Sequence, residues 1–155
     1  MKVPTIPVAQ VVLARLIDFD IQHVVISPGS RNAPLTLGLT SHSFFKTHSV
    51  VDERAAGFFA LGMAQQLAKP VVLLCTSGSA LLNYFPAIAE AFYSDIPLIV
   101  LSADRPSYRI DIGDGQTLRQ DGVFERMLVD QVNLKQDVTH ATEVILQSNR
   151  QNLIP

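Results

Sequence analysis

The sequence predicts an α/β fold of three layers, in which a mostly parallel sheet carries helices on both faces. Four short apolar runs recur at roughly 25-residue spacing, and an amphipathic segment separates each run from the next, as in βαβ units. The runs are continuously apolar rather than alternating, which is typical of strands that helices cover on both sides. The chain has 155 residues, so we expect one domain over residues 1–155.

Apolar spacing and stop signals predict each element in turn. Val8, Val12 and Leu16 recur at helical spacing, and the dipeptide at 69–70, Lys-Pro, ends a helix before an apolar strand. The predicted elements are a helix from residue 8 to about residues 18–20, a strand at 24–26, a helix over 33–39, a strand at 49–51, a helix over 53–67, a strand at 71–75, a helix over 80–92 and a strand at 97–101. Beyond residue 104 we expect a loop at 111–115, partial helix over 117–129 and a last helix over 142–150.

Composition narrows the functional classes. Hydrophobic residues make up 48% of the chain and charged residues 17%, the latter below the roughly 25% of ordinary soluble domains. This balance excludes a disordered chain and a coiled coil. The net charge is −2 and no basic cluster is present, so nucleic acid is not an expected partner. A chain with so many apolar and so few charged residues suggests that an oligomer interface or a further domain covers part of its surface.

Cysteine content and the first residues indicate the compartment. Cys75 is the single cysteine, so the chain has no internal disulfide and no Cys-based metal site. Its apolar neighbours predict a buried, unreactive thiol. The first seven residues lack the apolar segment of a signal peptide, and no apolar run approaches the ~18 residues that cross a bilayer. We therefore expect a cytoplasmic protein without an integral membrane segment.

Polar motifs follow the ends of all four predicted strands. Ligands of parallel sheets bind beyond the carboxyl ends of the strands. Each motif alone is typical of an ordinary strand-end loop, but the four together favour a ligand-binding rim. They are S-P-G-S-R at 27–31, D-E-R at 52–54, T-S-G-S at 76–79 and A-D-R-P at 103–106.

Three features of these motifs suit particular chemistry. Arg31 offers a planar fork for a carboxylate, although Ser30 before it would equally suit a helix cap. Glu53 precedes small apolar residues, a setting that desolvates a carboxylate and suits it to proton transfer. Such an acidic residue also commonly does no more than complement a helix dipole. The turn at 76–78 would present backbone amides to an anion or a ring edge.

Other nucleotide and metal signatures are missing. The turn at 76–78 lacks the Gly-Lys-Ser/Thr of a P-loop, and no Gly-x-Gly-x-x-Gly follows the first strand. The Gly-Asp-Gly at 113–115 is not followed by the Asn-Asn pair of a magnesium–diphosphate motif, so a turn is expected there. The four histidines lack ligand spacing, which predicts structural or surface roles rather than a metal site.

At these motifs the sequence resembles the pyrimidine-binding domain of thiamine-diphosphate enzymes and, within them, the synthases of the menaquinone pathway. The resemblance covers residues 8–124. It is carried, in chain order, by S-P-G-S-R-N-A-P-L at 27–35, D-E-R at 52–54 with G-F-F-A-L-G at 57–62, T-S-G-S-A at 76–80 with Asn83 and Pro86, and A-D-R-P at 103–106 with Gln116 and the pair Arg119-Gln120.

The resemblance implies a transferase that decarboxylates 2-oxoglutarate and adds the succinyl-semialdehyde unit to isochorismate. Glu53 matches the glutamate that hydrogen-bonds the aminopyrimidine of the cofactor, so that the ring can take the proton from the thiazolium C2. Cofactor-binding positions carried over are Glu53, Pro28, Gly29, Thr76, Ser77, Gly78 and Asn83. Substrate-binding positions are Ser30, Arg31, Arg105 and Gln116.

The substrate positions agree with the chemistry, with one departure from the family pattern. Both substrates carry carboxylates, which suit the forks of Arg31 and Arg105. Gly115 stands where the family often has an asparagine, so one polar contact to substrate is expected to be absent or supplied by another group.

Cofactor and partners follow from the same resemblance. It implies thiamine diphosphate, with Mg²⁺ or Mn²⁺ held by a domain outside this chain and no metal ligand within it. The active site forms between two subunits, so a homodimer or homotetramer is expected, and the chain alone is expected to be inactive. Two alternatives stay open. One is a stand-alone pyrimidine-binding subunit of a two-chain 2-oxoacid decarboxylase, and the other is a non-catalytic flavodoxin-like binding domain.

Overall fold

A four-stranded sheet forms the centre of the computed structural model, which describes residues 4–134. All three strand pairs are parallel, and the spatial order is β2-β1-β3-β4. The strands are β1 (His23–Ile26), β2 (Lys46–Ser49), β3 (Val71–Cys75) and β4 (Leu98–Ser102). The helices are α1 (Pro7–Asp18), α2 (Ala33–Ser41), α3 (Glu53–Leu67), α4 (Ser79–Leu82) and α5 (Phe85–Tyr93). Two 3₁₀ turns follow, at Ser107–Arg109 and Glu125–Met127.

Helices cover both faces of the sheet. Val24 and Leu74 face one core, shared with residues of α1 and α2. Val25 and Leu73 face the other core, shared with α3, α4 and α5. Because successive side chains of a strand point to opposite faces, a strand buried on both sides must be apolar throughout. The predicted three-layer α/β fold is therefore confirmed.

The boundaries of α3 and β3 agree with the prediction. The Asp52 side chain accepts a hydrogen bond from the Ala55 N–H at 2.7 Å, which caps the first turn of α3. At the other end, Ala68 adopts a left-handed conformation with φ 49°, and Pro70 follows, which cannot continue a helix. Glu53 therefore occupies the first position of α3, immediately after its cap.

The predicted position of the second strand was wrong. The strand lies at Lys46–Ser49 rather than at 49–51, and Val51 is 77% exposed. The strand lies at an edge of the sheet, paired only with β1, and its lysine, threonine, histidine and serine side chains are all exposed or half-buried. Because these side chains are not fully covered, the apolar pattern that marks β1 and β3 does not extend to this strand, whereas β4 at the other edge is apolar.

The helix predicted over 80–92 is two helices. Pro86 lies in the first turn of α5, where its missing N–H costs nothing. In a continuous helix its ring would clash with the carbonyl of Leu82, four residues earlier. The chain therefore breaks after α4, and Asn83 falls between the two helices.

The segment after β4 is less helical than predicted. Turns and the short 3₁₀ segment Glu125–Met127 occupy most of 117–129, and the loop expected at 111–115 consists of turns. The helix predicted over 142–150 lies outside the described residues. Within residues 4–134, no helix has the length and apolar character that crossing a membrane requires.

Candidate functional site

The loops after β1 and β3 meet at the carboxyl edge of the sheet. The chain leaves β1 for β2 on one side and leaves β3 for β4 on the other, so the gap between β1 and β3 is the topological switch point where ligands of such sheets bind. Gly29 and Thr76 touch there. A Cβ at Gly29 would lie 2.4 Å from Thr76 Cβ, so only glycine permits this approach of the two loops.

Buried hydrogen bonds hold the loop after β1. Asn32 is fully buried; its Oδ1 accepts from the Gly29 N–H at 2.9 Å, and its Nδ2 donates to the Ser27 carbonyl at 2.9 Å. The buried Tyr84 hydroxyl lies 3.1 Å from Ser27 Oγ. These contacts fix the loop, so that Pro28 and Ser30 are exposed at its surface.

Arg31 crosses from this loop to the segment after β4. Its Nη1 donates to Gln116 Oε1 at 2.7 Å and to Ser77 Oγ at 3.1 Å, and its Nη2 donates to the Gly115 carbonyl at 3.0 Å. Arg105 Nη2 lies 3.4 Å from the same carbonyl. The structure thus brings together Arg31 and Arg105, two of the predicted substrate-binding residues, with Gln116 beside them.

Arg105 also pairs with Asp114. Its Nη2 lies 3.3 Å from Asp114 Oδ1, and Arg109 Nη1 lies 3.3 Å from Oδ2. Desolvation raises the pKa of Asp114, but the hydrogen bond from Arg109 and the charges of both arginines outweigh it, and the net pKa is lowered. Arg105 Nε is buried and has no hydrogen-bond partner among residues 4–134. One N–H of this guanidinium is therefore left without a protein acceptor in the described part of the chain.

The turn after β3 is occupied by protein contacts. Ser77 Oγ donates to the Gln116 carbonyl at 2.9 Å, and the Gly78 N–H donates to Gln120 Oε1 at 2.8 Å. The expectation of exposed amides at 76–78 is therefore wrong for Gly78, because a buried glutamine already accepts from its N–H. Thr76 differs. Its buried Oγ1 has no partner in the described part of the chain.

Glu53 lies at the same edge of the sheet. Its side chain is half-buried, and none of the described residues donates a side-chain hydrogen bond to its carboxylate. Burial raises the pKa of the Cys75 thiol to about 12, and the charge of Glu53 adds to the effect, against a hydrogen bond with Tyr84. The Glu53 carboxylate therefore acts electrostatically on the carboxyl end of β3, where Thr76 follows.

These groups fit the pyrimidine end of thiamine diphosphate. A ring with nitrogen atoms and an amino group needs hydrogen-bond partners that the protein does not already use. The Glu53 carboxylate and the Thr76 hydroxyl are such groups within the described residues. The diphosphate end of the cofactor needs a metal ion, and that ion needs protein ligands. No cluster of three or more His, Cys, Asp or Glu side chains that could hold a metal ion occurs within the described range.

Some predicted site residues do not join this cluster. Asn83 is exposed, and its Nδ2 donates to the carbonyl of Ser79 at 2.9 Å, within its own turn. Sequence reasoning also missed two structural members, Asn32 and Gln120. Both fall inside the motifs that carried the family resemblance, and that was the available signal.

Comparison with known proteins agrees with this geometry. A family model described as thiamine pyrophosphate enzyme, N-terminal TPP binding domain, matches residues 6–134. A 2-succinyl-5-enolpyruvyl-6-hydroxy-3-cyclohexene-1-carboxylate synthase from Christiangramia forsetii is 60% identical over 152 residues, which cover 98% of this chain and 25% of that protein. A synthase of the same name from Flavobacterium psychrophilum is 56% identical over 147 residues, covering 95% of this chain and 27% of that protein.

A third synthase of that name, from Flavobacterium johnsoniae, is 57% identical over 139 residues, covering 90% of this chain and 25% of that protein. The chain therefore spans about a quarter of the length of the curated relatives it matches. Because the family model covers nearly the whole described structure, including the Glu53 and Arg31 loops, the chain belongs to the thiamine pyrophosphate enzymes, within their N-terminal TPP binding domain.

Proposed function

We propose that this chain is the pyrimidine-binding part of a synthase that decarboxylates 2-oxoglutarate and adds the succinyl-semialdehyde unit to isochorismate, in menaquinone or phylloquinone biosynthesis. The observation that carries the proposal is the convergence of Arg31 and Arg105 on the Gly115 carbonyl, at the sheet edge where Glu53 begins α3. Two guanidinium groups and one half-buried carboxylate at the same edge of the sheet suit carboxylate substrates and a cationic cofactor ring.

Glu53 is the proposed catalytic residue of this chain. When bound, thiamine diphosphate supplies the nucleophilic carbon and the electron sink for decarboxylation. The Glu53 carboxylate would hold a proton at the pyrimidine nitrogen it faces. Its fixed place in the first turn of α3, after the Asp52 cap, keeps this contact in one geometry, as general acid–base catalysis requires.

Arg31 and Arg105 are the proposed carboxylate-binding residues. Arg31 already places both Nη atoms on oxygen atoms of the 115–116 segment, so its fork is held in a fixed plane. The buried Nε–H of Arg105 has no partner within residues 4–134, and Ser30 is exposed at the same edge of the sheet. An arginine fork gains two parallel charge-assisted bonds from a carboxylate, which orients a substrate as well as binding it.

The remaining parts of the site belong to other domains and subunits. We propose that Mg²⁺ or Mn²⁺ and the diphosphate are held by a domain outside this chain, and that the subunits form a homodimer or homotetramer. The chain by itself should then have no synthase activity. The cytoplasm is the proposed location, supported by a buried free thiol at Cys75, since thiols persist in reducing compartments.

The relatives favour this proposal over the alternatives. The three compared relatives share the synthase name, with 56% to 60% identity, which favours a synthase over a two-chain decarboxylase subunit. The strand order is also the start of a flavodoxin-like order, so fold alone does not decide against a non-catalytic domain. The family match favours the catalytic role, and so does the Glu53 carboxylate, to which no residue of 4–134 donates a side-chain hydrogen bond.

Glu53→Gln in the full-length protein tests the proposal. Glutamine is nearly isosteric and can still hydrogen-bond the ring, but it lacks the charge that favours a proton there. Exchange of the cofactor C2 proton, followed by NMR in D₂O, should slow about 10²–10⁴-fold, with an unchanged melting temperature.

Glu90→Gln provides the control, because Glu90 is exposed on α5 and pairs with Ser94. It should exchange like the wild type. Exchange as fast in Glu53→Gln as in the wild type would contradict the catalytic assignment. Turnover of isochorismate and 2-oxoglutarate by the full-length protein is the separate test of the substrates.

A further inference from the structure

The side-chain amide of Gln120 hydrogen-bonds to two loops of the site. Its side chain is buried, with 7% exposed. Nε2 donates to Ser102 Oγ at 3.0 Å and to the Ala103 carbonyl at 3.1 Å, while Oε1 accepts from the Gly78 N–H at 2.8 Å. Both donors and one acceptor of the amide are therefore engaged, and they connect the turn after β3 to the end of β4.

On the β3 side, Gln120 fixes the contact that holds Arg31. Gly78 has φ +83°, and a Cβ there would lie 3.0 Å from the Gln116 carbonyl oxygen. The turn after β3 therefore packs closely against the backbone of Gln116. Ser77, next to it, donates to that same carbonyl and accepts from Arg31 Nη1. A shift of the Gly78 N–H would therefore move Ser77, and with it one of the three contacts of Arg31.

On the β4 side, Gln120 fixes the residues that lead to Arg105. The Ala103 N–H donates to the Cys75 carbonyl at 3.1 Å, the last backbone contact between the ends of β3 and β4. Beyond it, the Ala103 carbonyl is held by Gln120, two residues before Arg105. The path of the backbone that positions the Arg105 side chain thus depends on the side-chain amide of Gln120.

We propose that Gln120 is a positioning residue that sets the spacing between the guanidinium groups of Arg31 and Arg105. Gln120 is buried and acts through its hydrogen bonds to Gly78 and Ala103. The inference rests on the proposed function, because those arginines are the proposed carboxylate-binding residues. Gln120 makes no hydrogen bond to Glu53, so its replacement leaves the Glu53 carboxylate at its place in the first turn of α3.

Two substitutions in the full-length protein test this. Gln120→Glu keeps the acceptor for the Gly78 N–H but has no N–H for the Ala103 carbonyl, which it would repel. Gln120→Met has similar length and makes none of the three hydrogen bonds. We expect KM for isochorismate and 2-oxoglutarate to rise about 10-fold or more, while the C2 exchange rate of the bound cofactor stays within about twofold of the wild type.

The matched control is Gln131→Glu, since Gln131 is an exposed glutamine that binds Gly122 and Asp121, and it should leave both quantities unchanged.

Chemical modification supplies a readout that needs no turnover. Phenylglyoxal reacts with arginine, and peptide mass spectrometry reports each site. Both variants should become more reactive at Arg31 and Arg105 but not at Arg15, which pairs with Asp18 on α1.

The outcomes separate the two proposals. Unchanged KM and unchanged modification, with only a lower melting temperature, would make Gln120 purely structural and overturn the inference. If a variant fails to fold, Ser102→Ala, which removes one acceptor of the amide, must shift both readouts in the same direction or the inference fails. If the wild type does not turn over the two substrates, the proposed function fails, and the modification pattern still decides whether Gln120 positions the arginines.

Discussion

Arg105 differs from the other arginines of this edge in how its guanidinium is used. It has a buried Nε without a partner among residues 4–134, while its Nη2 lies 3.3 Å from Asp114 Oδ1. Arg109 and Arg31 make their side-chain contacts with protein acceptors. Arg105 therefore has a guanidinium N–H that no protein acceptor uses within residues 4–134, whereas both Nη atoms of Arg31 are engaged.

Replacing Arg105 tests this assignment. Arg105→Ala in the full-length protein should raise KM for a carboxylate substrate about 10–100-fold, because hydrogen bonds to charged groups contribute about 1.5–3 kcal/mol. The C2 exchange rate should not change. Arg15→Ala, at the half-buried arginine of an ion pair on α1, is the control and should leave KM unaltered. An unchanged KM in Arg105→Ala would remove Arg105 from the substrate site.

Cys75 gives a pH-dependent prediction. Burial raises the pKa of its thiol to about 12, from 9.0 for the ordinary group. A raised folded-state pKa means that the unfolded chain releases the proton first, so this contribution to stability is complete below pH 9 and is lost as pH rises from 9 towards 12.

Thiol labelling measures the consequence. At pH 8 the native chain should react with a disulfide reagent only as fast as it unfolds, and the rate should rise in urea. Cys75→Ala should flatten the loss of stability above pH 9. Rapid labelling of the folded chain at pH 8 would mean that the thiol is accessible, contrary to its 0% exposure.

At the scale of elements, α3 contains two glycines in different surroundings. A Cβ on Gly57 would lie 2.9 Å from Ala87 Cβ, so α3 and α5 pack together through the missing side chain. At Gly62 nothing lies within 4 Å. The first glycine serves a close helix contact, and the second has no such role.

These two positions should therefore respond oppositely to alanine. Gly57→Ala should destabilise the domain, because overpacking costs about 1–3 kcal/mol and exceeds the gain in helix propensity. Gly62→Ala should stabilise it by about 0.5–1 kcal/mol. Urea denaturation of the 155-residue chain measures both. Equal changes in the two variants would show that the α3–α5 contact does not depend on Gly57.

At the scale of the molecule, one face of α3 is apolar and uncovered. Phe58 and Phe59 are 44% and 46% exposed, and they line an apolar hollow of about 600 Å³ with Met63 and Leu67. Apolar area of this kind on a soluble domain marks an interface. It agrees with the proposed homo-oligomer, in which the helix that begins at Glu53 lies between subunits.

Self-association of the chain tests that surface. We expect a dimer or larger species in sedimentation and light scattering as concentration rises, weakened by Phe58→Ser. Phe92→Ser is the matched control, since Phe92 is 39% exposed on α5, and it should leave the association intact. A chain that stays monomeric at high concentration would contradict the proposed interface.

The sequence by itself determined the layers, the four-strand plan and the family. Strands buried on both faces must be continuously apolar, as β1 and β3 are, and α3 has both its cap, Asp52, and its stop, Pro70, within a few residues of its ends. Such signals are local, so they can be found without knowing what packs where. The motifs around Glu53 and Arg31 likewise lie in short contiguous runs.

Only the tertiary structure decided which polar groups meet. Arg31 and Gly115 are 84 positions apart, and Gly78 and Gln120 are 42 apart. Their hydrogen bonds form because parallel strands bring their carboxyl ends to one edge, and no periodicity along the chain encodes that pairing. The same holds for β2, whose polar residues are explained by the exposure of its side chains in the folded sheet.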